Sequence, residues 1–384
     1  MPRLSATTRF VHYHPWLLHR NDSIALVAYQ WAQAVVAAGH RAAVIGDTAS
    51  FKGQSPPAPG GTDEAGVEIT AVRHVGKGPT LTPIGLGKQL RADDVLVLHT
   101  DWRFANLFAA RVARRRNVPY IVVPHGGYER QVLPRVRDPL RYRLPAERHM
   151  LRNALGVHVF FDTEATIVAE FAPGSRFVVA PTGYEVSGEP DWKGGGGYLA
   201  WLGRYDIGHK GLDLLLQAVA RMPRDQRPTL ELHGIDWPDS AAAVARLAAT
   251  SGVSDTTTVE APIFGDDKDR FLVESDGFVH AARWESYGLA ILENLVRGVP
   301  CLVSSTCHLA VHWRDEAPWV LADPTPEGLE QGLRDLLATT PAEAEERCRR
   351  GRALAGRDLA WPTVAKQFLA GVDRLLADGG GAAA

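Results

Sequence analysis

The sequence is poor in the features that mark secreted, membrane-spanning and nucleic-acid-binding proteins. It has only three cysteines in 384 residues, Cys301, Cys307 and Cys348, in no metal-ligand spacing. No apolar run approaches the eighteen or so residues of a membrane span, and the N-terminus lacks the apolar core of a signal peptide. The formal net charge of −2 gives no sign of nucleic-acid binding. We therefore expect a soluble cytoplasmic protein with no nucleic-acid partner and no transmembrane segment.

What the chain does have is a regular alternation of strand-like and helix-like segments. Its length and its 45% hydrophobic content are sufficient for two domains. The alternation favours parallel sheets with helices on both faces. In the first half, strands are predicted at 9–14, 42–46, 67–72, 94–99, 120–123, 157–161 and 177–180, and helices at 24–38 and 105–115. In the second half, strands are predicted at 198–204, 229–233, 257–260, 277–280, 301–304 and 319–321, and closing helices at 342–354 and 362–376.

A segment rich in glycine and proline separates the two halves. Residues 187–197 contain Pro190 and end in four consecutive glycines, which is typical of an interdomain linker. We expect an N-terminal domain at 1–186, the linker at 187–197 and a second domain at 198–361. Residues 362–384 are then a final helix followed by a disordered tail.

Two carboxylates flank a predicted loop-to-helix junction. Glu285 precedes the junction, and Glu293 lies eight residues later, inside the helix. Gly288 permits close backbone approach, and the peptide N–H groups of Gly288, Leu289 and Ala290 at the helix start favour an anion. Because helical side chains tilt toward the N-terminus, Glu293 can reach back toward a ligand there. The two glutamates are candidates to bind hydroxyl groups; alternatively, both are solvated surface residues.

A strand-to-helix loop in the second half carries two cations. The predicted strand over 198–204 ends at Gly203 and Arg204, and Lys210 opens an amphipathic helix. Arginine can fork onto two phosphate oxygens, and lysine acts as a point charge, so the loop suits a diphosphate. It is not a Walker A loop, because the spacing and the Ser/Thr are missing. Alternatively, it is an isolated basic loop with a structural role.

The two segments together, in this order and about eighty residues apart, resemble the retaining, metal-independent glycosyltransferases of the group 1 family (family 4). The matching residues are Gly203-Arg204, Lys210-Gly211, Ser275-Asp276, the run from Glu285 to Leu289, Glu293 and Gly298-Val299-Pro300. The resemblance covers nearly the whole chain. It implies the α/β GT-B fold, in which two Rossmann-like domains face each other across a cleft, and the final helix crosses back onto the N-terminal domain.

The resemblance also implies roles for individual residues. Glu285 would hold sugar hydroxyls, Glu293 the ribose, and the N–H groups of Leu289 and Ala290 the phosphates. Arg204 and Lys210 would stay paired with the leaving diphosphate, which would help to deprotonate the incoming hydroxyl. The remaining donor-binding positions that it implies are Gly203, Ser286, Tyr287 and Gly288. His125, after the strand at 120–123, matches a histidine that contacts the donor sugar, although a histidine after a strand can also be structural.

No metal and no cofactor is predicted beyond a nucleotide-diphosphate sugar as co-substrate. A UDP-sugar is favoured, and a GDP-sugar is the alternative. The carboxylate pairs Asp93-Asp94 and Asp266-Asp267 are adjacent, unlike the Asp-x-Asp that carries a divalent ion in other glycosyltransferases.

The sequence departs from the resembled family at the loop after its first strand. The family has a Gly-Gly there, whereas this chain has His19, Arg20, Asn21 and Asp22. These four residues are candidates to contact the acceptor; alternatively, Asp22 only caps the following helix. Ala281-Ala282 also replaces the usual Pro-Ser before the first glutamate.

We expect the acceptor to be a hydroxyl compound of glycan or glycosylated-metabolite biosynthesis. A basic stretch could contact anionic lipid peripherally or a phosphorylated acceptor, or it could be a solvated face; its arginines are Arg130, Arg135, Arg137, Arg141, Arg143, Arg148 and Arg152. Two other functions remain open, as does the oligomeric state: a sugar-nucleotide epimerase or hydrolase on the same fold, and a non-catalytic sugar-nucleotide-binding subunit. Retention of both cations and both glutamates favours the enzyme.

Overall fold

The computed structural model describes residues 3–5, 7–17, 23–47, 61–76, 80–100, 102–133, 144–236 and 239–379. The chain divides into two compact units. Unit one comprises Met1–Gly183 together with Asp358–Ala384, and unit two comprises Tyr184–Arg357. Each unit is an α/β layer structure with its own hydrophobic core.

Unit one is built on a mainly parallel sheet. Its described strands are β1 (Arg9–Tyr13), β2 (Arg41–Asp47), β3 (Gly61–Thr62), β4 (Glu68–Val75), β5 (Thr82–Ile84), β6 (Asp94–His99), β7 (Tyr120–Val123), β8 (Gly156–Val159) and β9 (Phe177–Val179). The parallel order is β4-β2-β1-β6-β7-β8-β9, and β3 and β5 pair with β4 in antiparallel fashion. The strand order therefore reverses between β1 and β6. Such a switch point is where open α/β sheets bind their ligands.

Five helices of unit one precede the second unit in the described chain: α1 (Ser23–Ala37), α2 (Leu86–Gln89), α3 (Phe104–Arg115), α4 (Leu144–Arg152) and α5 (Asp162–Phe171). The central strands β1, β6 and β7 are buried along their whole length. Helices cover both faces of a parallel sheet, so such strands read as continuous apolar runs rather than as alternating ones.

Unit two repeats the same design. Its strands are β10 (Leu199–Arg204), β11 (Leu230–Ile235), β12 (Thr257–Glu260), β13 (Gly277–His280), β14 (Cys301–Ser304) and β15 (Val320–Ala322). Its helices are α6 (Ile207–Lys210), α7 (Leu212–Arg221), α8 (Ser240–Thr250), α9 (Gly265–Glu274), α10 (Leu289–Arg297), α11 (His308–His312), α12 (Pro326–Leu337) and α13 (Pro341–Asp358). The strand order is β12-β11-β10-β13-β14-β15 with every pair parallel, which puts the switch point between β10 and β13.

The last helix, α14 (Trp361–Gly379), belongs to unit one. The Trp361 ring lies 5.4 Å from that of Trp31 on α1, and Phe368 lies 5.1 Å from the same ring. The helix also approaches the sheet, because a Cβ on Gly156 would lie 2.5 Å from Leu375. The predicted disordered tail begins inside this helix at Asp378; residues 380–384 lie outside the described part.

The segment predicted to be a linker, residues 187–197, instead packs on unit two. The backbone N–H of Trp192 donates to Arg297, that of Lys193 donates to Val273, and the Trp192 indole donates to Ser275. Its glycines are used for conformation, since Gly188, Gly194, Gly195 and Gly197 adopt φ between 62° and 82°. Composition suggested an interdomain linker, whereas these glycines provide left-handed turns in a segment that packs on unit two.

Candidate functional site

The site lies at the switch point of unit two, where the loops that follow β10 and β13 meet. Arg204 is the last residue of β10, and Lys210 follows six residues later. Glu285 follows β13 by five residues. Parallel neighbours end at the same edge of the sheet, so three predicted site residues from two sequence segments are brought to one edge.

The loop carrying Lys210 is fixed by a cap and by a glycine. The Asp206 carboxylate accepts from the His209 backbone N–H at 3.0 Å and so caps the short helix α6. Gly211 then turns the chain with φ 64°. A Cβ on Gly211 would lie 2.0 Å from the carbonyl oxygen of Ala281, so only glycine fits where this loop crosses the end of β13.

Glu285 forms a direct salt bridge with Lys210. Lys210 Nζ donates to Glu285 Oε2 at 2.6 Å, and His280 Nε2 lies 3.4 Å from the same oxygen. The two partners of the salt bridge are 18% and 17% exposed, so it is largely shielded from water. Burial alone would raise the pKa of Glu285, but the Lys210 ammonium and the His280 ring hold that pKa well below its ordinary value. Glu285 is therefore a carboxylate beside Lys210 at neutral pH.

A second set of contacts locks the two loops together. The His209 and Trp284 rings stack at 4.4 Å, and His209 Nε2 donates to the Trp284 carbonyl at 3.0 Å. Arg283 forms a bidentate salt bridge with Asp213, with N···O distances of 2.7 and 2.6 Å. Burial, followed by the nearby Lys210 charge, lowers the pKa of His209 to about 4, so its ring is neutral at neutral pH. The His209–Trp284 stacking and the Arg283–Asp213 salt bridge fix the distance between the two loops that carry Lys210 and Glu285.

The start of α10 has the predicted form. Gly288 is its N-cap with φ 86°, and the helix runs from Leu289. The first N–H groups of a helix have no partner inside it, so those of Leu289 and Ala290 point out of the N-terminus with the helix dipole behind them. Just before the helix, Ser286 is 9% exposed, and no described residue hydrogen-bonds to its Oγ. Tyr287 beside it is buried, and that burial raises the pKa of its hydroxyl well above the ordinary value.

Glu293 is on α10, as predicted, and forms an ion pair with Lys268 of α9. Both side chains are about one-quarter exposed, at 25% and 28%. Gly203 and Arg204 close β10, and the Arg204 side chain is exposed at the sheet edge. The sequence did not predict His280, His209 or Trp284 in the site, nor the Lys268 pairing.

In unit one, His125 follows β7 and adopts φ 50°. Two other non-glycine residues with left-handed φ, Thr100 at 70° and Trp102 at 52°, follow the neighbouring strand β6. Such conformations cost on the order of 1–3 kcal/mol each and cluster at functional sites. His125 Nε2 lies 3.0 Å from Nδ1 of His99, the last residue of β6, which the sequence did not single out.

The predicted acceptor residues and part of the basic stretch lie outside the described residues. His19, Arg20, Asn21 and Asp22 lie outside the described residues, and their acceptor role stays a prediction. In the basic stretch, residues 134–143 also lie outside the described part. The three described arginines bind the end of α5 and the turn after it: Arg130 pairs with Glu170, Arg148 donates to the Phe171 carbonyl, and Arg152 donates to that of Pro173. All three contacts lie within unit one.

The two adjacent carboxylate pairs, Asp93-Asp94 and Asp266-Asp267, have different surroundings. The buried Asp94 accepts two hydrogen bonds from Arg9, at 2.8 Å each, and Asp266 and Asp267 lie in the exposed first turn of α9. In the part of the chain that the structure describes, no group of three or more His, Cys, Asp or Glu side chains is placed to hold a metal ion. Nor does any helix there have the length and apolarity to cross a membrane. The three cysteines are buried free thiols, and the cytoplasmic location stays a prediction.

Comparison with known families agrees with the geometry of the site. A family model described as "Glycosyl transferases group 1" matches residues 189–352, which include the whole Lys210–Glu285 site. A second, described as "Glycosyl transferase 4-like domain", matches residues 24–183. The chain belongs to the group 1 glycosyltransferases. The lipopolysaccharide glucosyltransferase WaaG of Escherichia coli (strain K12) is 29% identical over 143 residues, which are 35% of this chain and 36% of that protein. The chain thus matches about a third of that relative's length.

Solved structures match over nearly the full chain. Sucrose-phosphate synthase from Thermosynechococcus elongatus has a TM-score of 0.72 at 18% identity, over 97% of this chain and 100% of that one. Anabaena Alr3699/HepE in complex with UDP and glucose has a TM-score of 0.69 at 13% identity, over 97% and 99%. Identities this low show the fold alone. This glycosyltransferase has the GT-B class of α/β fold, as the sequence predicted.

Proposed function

We propose that the protein is a retaining, metal-independent glycosyltransferase that transfers a sugar from a UDP-sugar to a hydroxyl acceptor. The observation that carries this proposal is the contact of Lys210 Nζ with Glu285 Oε2, 2.6 Å apart at the switch point of unit two. An ammonium suits the diphosphate of a donor, and a carboxylate accepts protons from sugar hydroxyls. Where the two meet is therefore a suitable position for the sugar–phosphate bond.

Bond cleavage develops negative charge on the departing diphosphate. Lys210 is preplaced to stabilise that charge, as is Arg204 at the end of β10, and the helix dipole of α10 adds a positive field. In the front-face reaction, the C–O bond to the diphosphate breaks and the acceptor oxygen adds to the same face of the anomeric carbon. The acceptor proton moves to the leaving phosphate. Glu285 then positions the sugar and needs no proton of its own, which agrees with a carboxylate whose pKa is held low.

The donor is proposed on two supports. The buried Ser286 Oγ and the N-terminus of α10 provide polar groups for phosphates and sugar. The structural relative Alr3699/HepE is in complex with UDP and glucose. A GDP-sugar is the other donor to be tested. On the acceptor side, we propose that Arg20 and Asp22 contact the acceptor, so that Arg20→Ala and Asp22→Ala raise the acceptor KM and leave donor binding unchanged.

The decisive experiment combines binding and turnover. UDP at a hundred times its Kd should stabilise the protein by roughly 2.7 kcal/mol without added Mg²⁺. Lys210→Ala and Arg204→Ala should each lower kcat about a hundredfold. The matched control is Lys193→Ala, an exposed lysine on the same unit, which should leave both readouts unchanged.

Three results would contradict the proposal. Unchanged turnover in both cation variants would remove the assignment of the phosphate site. Loss of transfer in EDTA, restored by Mg²⁺ or Mn²⁺, would contradict the metal independence. Conversion of the donor without any acceptor would instead indicate an epimerase or hydrolase.

A further inference from the structure

We propose that His99 and His12 are positioning residues that hold His125 as the tautomer with its proton on Nδ1. The assignment rests on a chain of three imidazoles in unit one. Its effect on sugar transfer rests on the proposed function, whereas the tautomer itself can be measured without any substrate.

The three rings form a continuous chain of short contacts. His12 Nδ1 lies 2.9 Å from His99 Nε2, and His99 Nδ1 lies 3.0 Å from His125 Nε2. The ring planes differ by only 26° and 30°, and the ring centroids are 5.2 and 5.3 Å apart. Centroids so much farther apart than the nitrogens mean that the rings meet edge to edge. Each shared proton therefore lies nearly in the plane of both rings, as a good hydrogen bond requires.

The backbone fixes this chain at the switch point of unit one. His12 is on β1 and His99 is the last residue of β6, so the first contact joins the two strands between which the order reverses. Asn106 of α3 donates to the carbonyls of His99 and Thr100 at 2.9 and 2.8 Å. That clamp holds His99 where the chain turns into the left-handed Thr100. The rings are thus placed by strand pairing and by a buried amide.

Which nitrogen donates in each of the two hydrogen bonds follows from His12, the ring at the opposite end from His125. In one arrangement, His12 Nδ1–H donates to His99 Nε2, and His99 Nδ1–H donates to His125 Nε2. In the opposite arrangement, His12 carries its proton on Nε2. That atom is buried, and no described residue hydrogen-bonds to it. An orphaned buried N–H is costlier than an orphaned lone pair, so the first arrangement is favoured.

The consequence appears at His125. With Nε2 accepting from His99, the neutral His125 ring carries its proton on Nδ1. Both His12 and His99 are almost fully buried, at 1% exposure each, and His125 is partly exposed. Burial, with added repulsion from neighbouring imidazoles, lowers the pKa of His12 and of His125 to about 3. His125 therefore offers an N–H donor, not an acceptor, at the end of β7, which suits a hydroxyl oxygen of a sugar.

The test begins with the wild-type, full-length protein labelled with ¹⁵N-histidine. Long-range ¹H–¹⁵N spectra at neutral pH distinguish the two tautomers, and His125→Gln identifies the His125 signals. We expect the proton on Nδ1 of His125. A proton on Nε2, or an imidazolium, would overturn the proposal without reference to any other variant.

His99→Phe then removes both ring nitrogens while keeping a planar ring. We expect the His125 signals to move to the Nε2–H tautomer or to a mixture, and kcat to fall about tenfold with the donor KM nearly unchanged. The matched control is His158→Phe, a buried histidine whose Nε2 donates to the Ala180 carbonyl at 2.8 Å and makes no hydrogen bond to the chain of three. It should cost stability and leave the His125 tautomer unchanged.

Two outcomes with the variants would also overturn the proposal: an unchanged Nδ1–H tautomer in His99→Phe, or a wild-type kcat in that variant. Absence of transfer by the wild-type protein with any donor would instead contradict the proposed function. In that case the spectra still decide the tautomer, so the two failures are distinguishable.

Discussion

Gly211 and Ala281 approach so closely that a β-carbon on the glycine would lie 2.0 Å from the alanine carbonyl oxygen. One residue later the chain begins α7, and one residue earlier it presents Lys210 to Glu285. The contact joins the loop that follows β10 to the residue that follows β13. It explains why the position after the lysine must be glycine for steric as well as conformational reasons.

Gly211→Ala should therefore displace the Lys210 loop. We expect a loss of stability of about 1–3 kcal/mol or more, together with loss of UDP binding, because overlap adds to left-handed strain. Gly252→Ala is the matched control, since Gly252 has φ 69° in the same unit and nothing within 4 Å of its would-be Cβ. It should show the strain alone and keep UDP binding. Chemical denaturation and thermal shift with UDP measure both effects. Equal losses in the two variants would refute the role of the contact.

Glu285 should make the free energy of unfolding depend on pH below its ordinary pKa of 4.5. Burial raises its pKa, but Lys210 and His280 more than offset that and hold the folded-state pKa well below the ordinary 4.5. The unfolded chain thus takes up this proton at higher pH than the folded protein. The stabilisation is complete above pH 4.5 and is lost as the pH falls through the folded-state pKa.

Urea unfolding of the wild type and of Glu285→Gln, from about pH 7 to about pH 3, measures this directly. The stability difference between them should shrink only below pH 4.5. Lys210→Met supplies the control, because removal of the ammonium should raise the pKa of Glu285 and move the loss to higher pH. A difference that is constant across the range would show that Glu285 has no depressed pKa.

Much of this site could be predicted because its signals are local in the sequence. Gly288 before an apolar helix and the cations around a strand end each depend on a few neighbouring residues. The strands at 94–99, 120–123, 257–260, 277–280 and 301–304 coincide with those in the structure for the same reason. Their boundaries are marked by buried apolar runs between polar residues.

The parts that could not be predicted depend on which strands become neighbours. The contact of His12 with His99 spans 87 positions and exists only because β1 and β6 pair. The Lys268–Glu293 ion pair similarly requires α9 and α10 to pack side by side. Composition alone also did not show that 187–197, predicted as an interdomain linker, packs on unit two with its glycines in left-handed turns. None of these relationships leaves a pattern in the sequence itself.

Glu293→Ala should separate donor binding from turnover. If the carboxylate binds the ribose equally in the ground and transition states, the donor KM should rise while kcat changes little. Lys268→Ala is its control, because it removes the partner of Glu293 and leaves the carboxylate in place. That variant should keep donor affinity close to wild type. Steady-state kinetics of both variants test this, and an equal rise in donor KM would show that the ion pair, not the carboxylate, matters.

Replacing Ser286 should weaken donor binding without the loss of stability that replacing an ordinary buried serine causes. Its Oγ is buried without a hydrogen bond to any described residue, so Ser286→Ala removes an unsatisfied polar group and should leave the free energy of unfolding unchanged or slightly higher. If that hydroxyl binds the donor, the affinity for UDP or for a UDP-sugar should fall about two- to tenfold. Ser304→Ala is the matched control, since Ser304 is also buried but its hydroxyl lies 2.8 Å from Thr306 Oγ1. It should lose about 0.5–1.5 kcal/mol of stability and keep donor affinity.

Denaturation measures the stability of the two variants, and calorimetric titration measures their donor affinity. A Ser286→Ala protein that is less stable and binds donor normally would return this serine to a purely structural role.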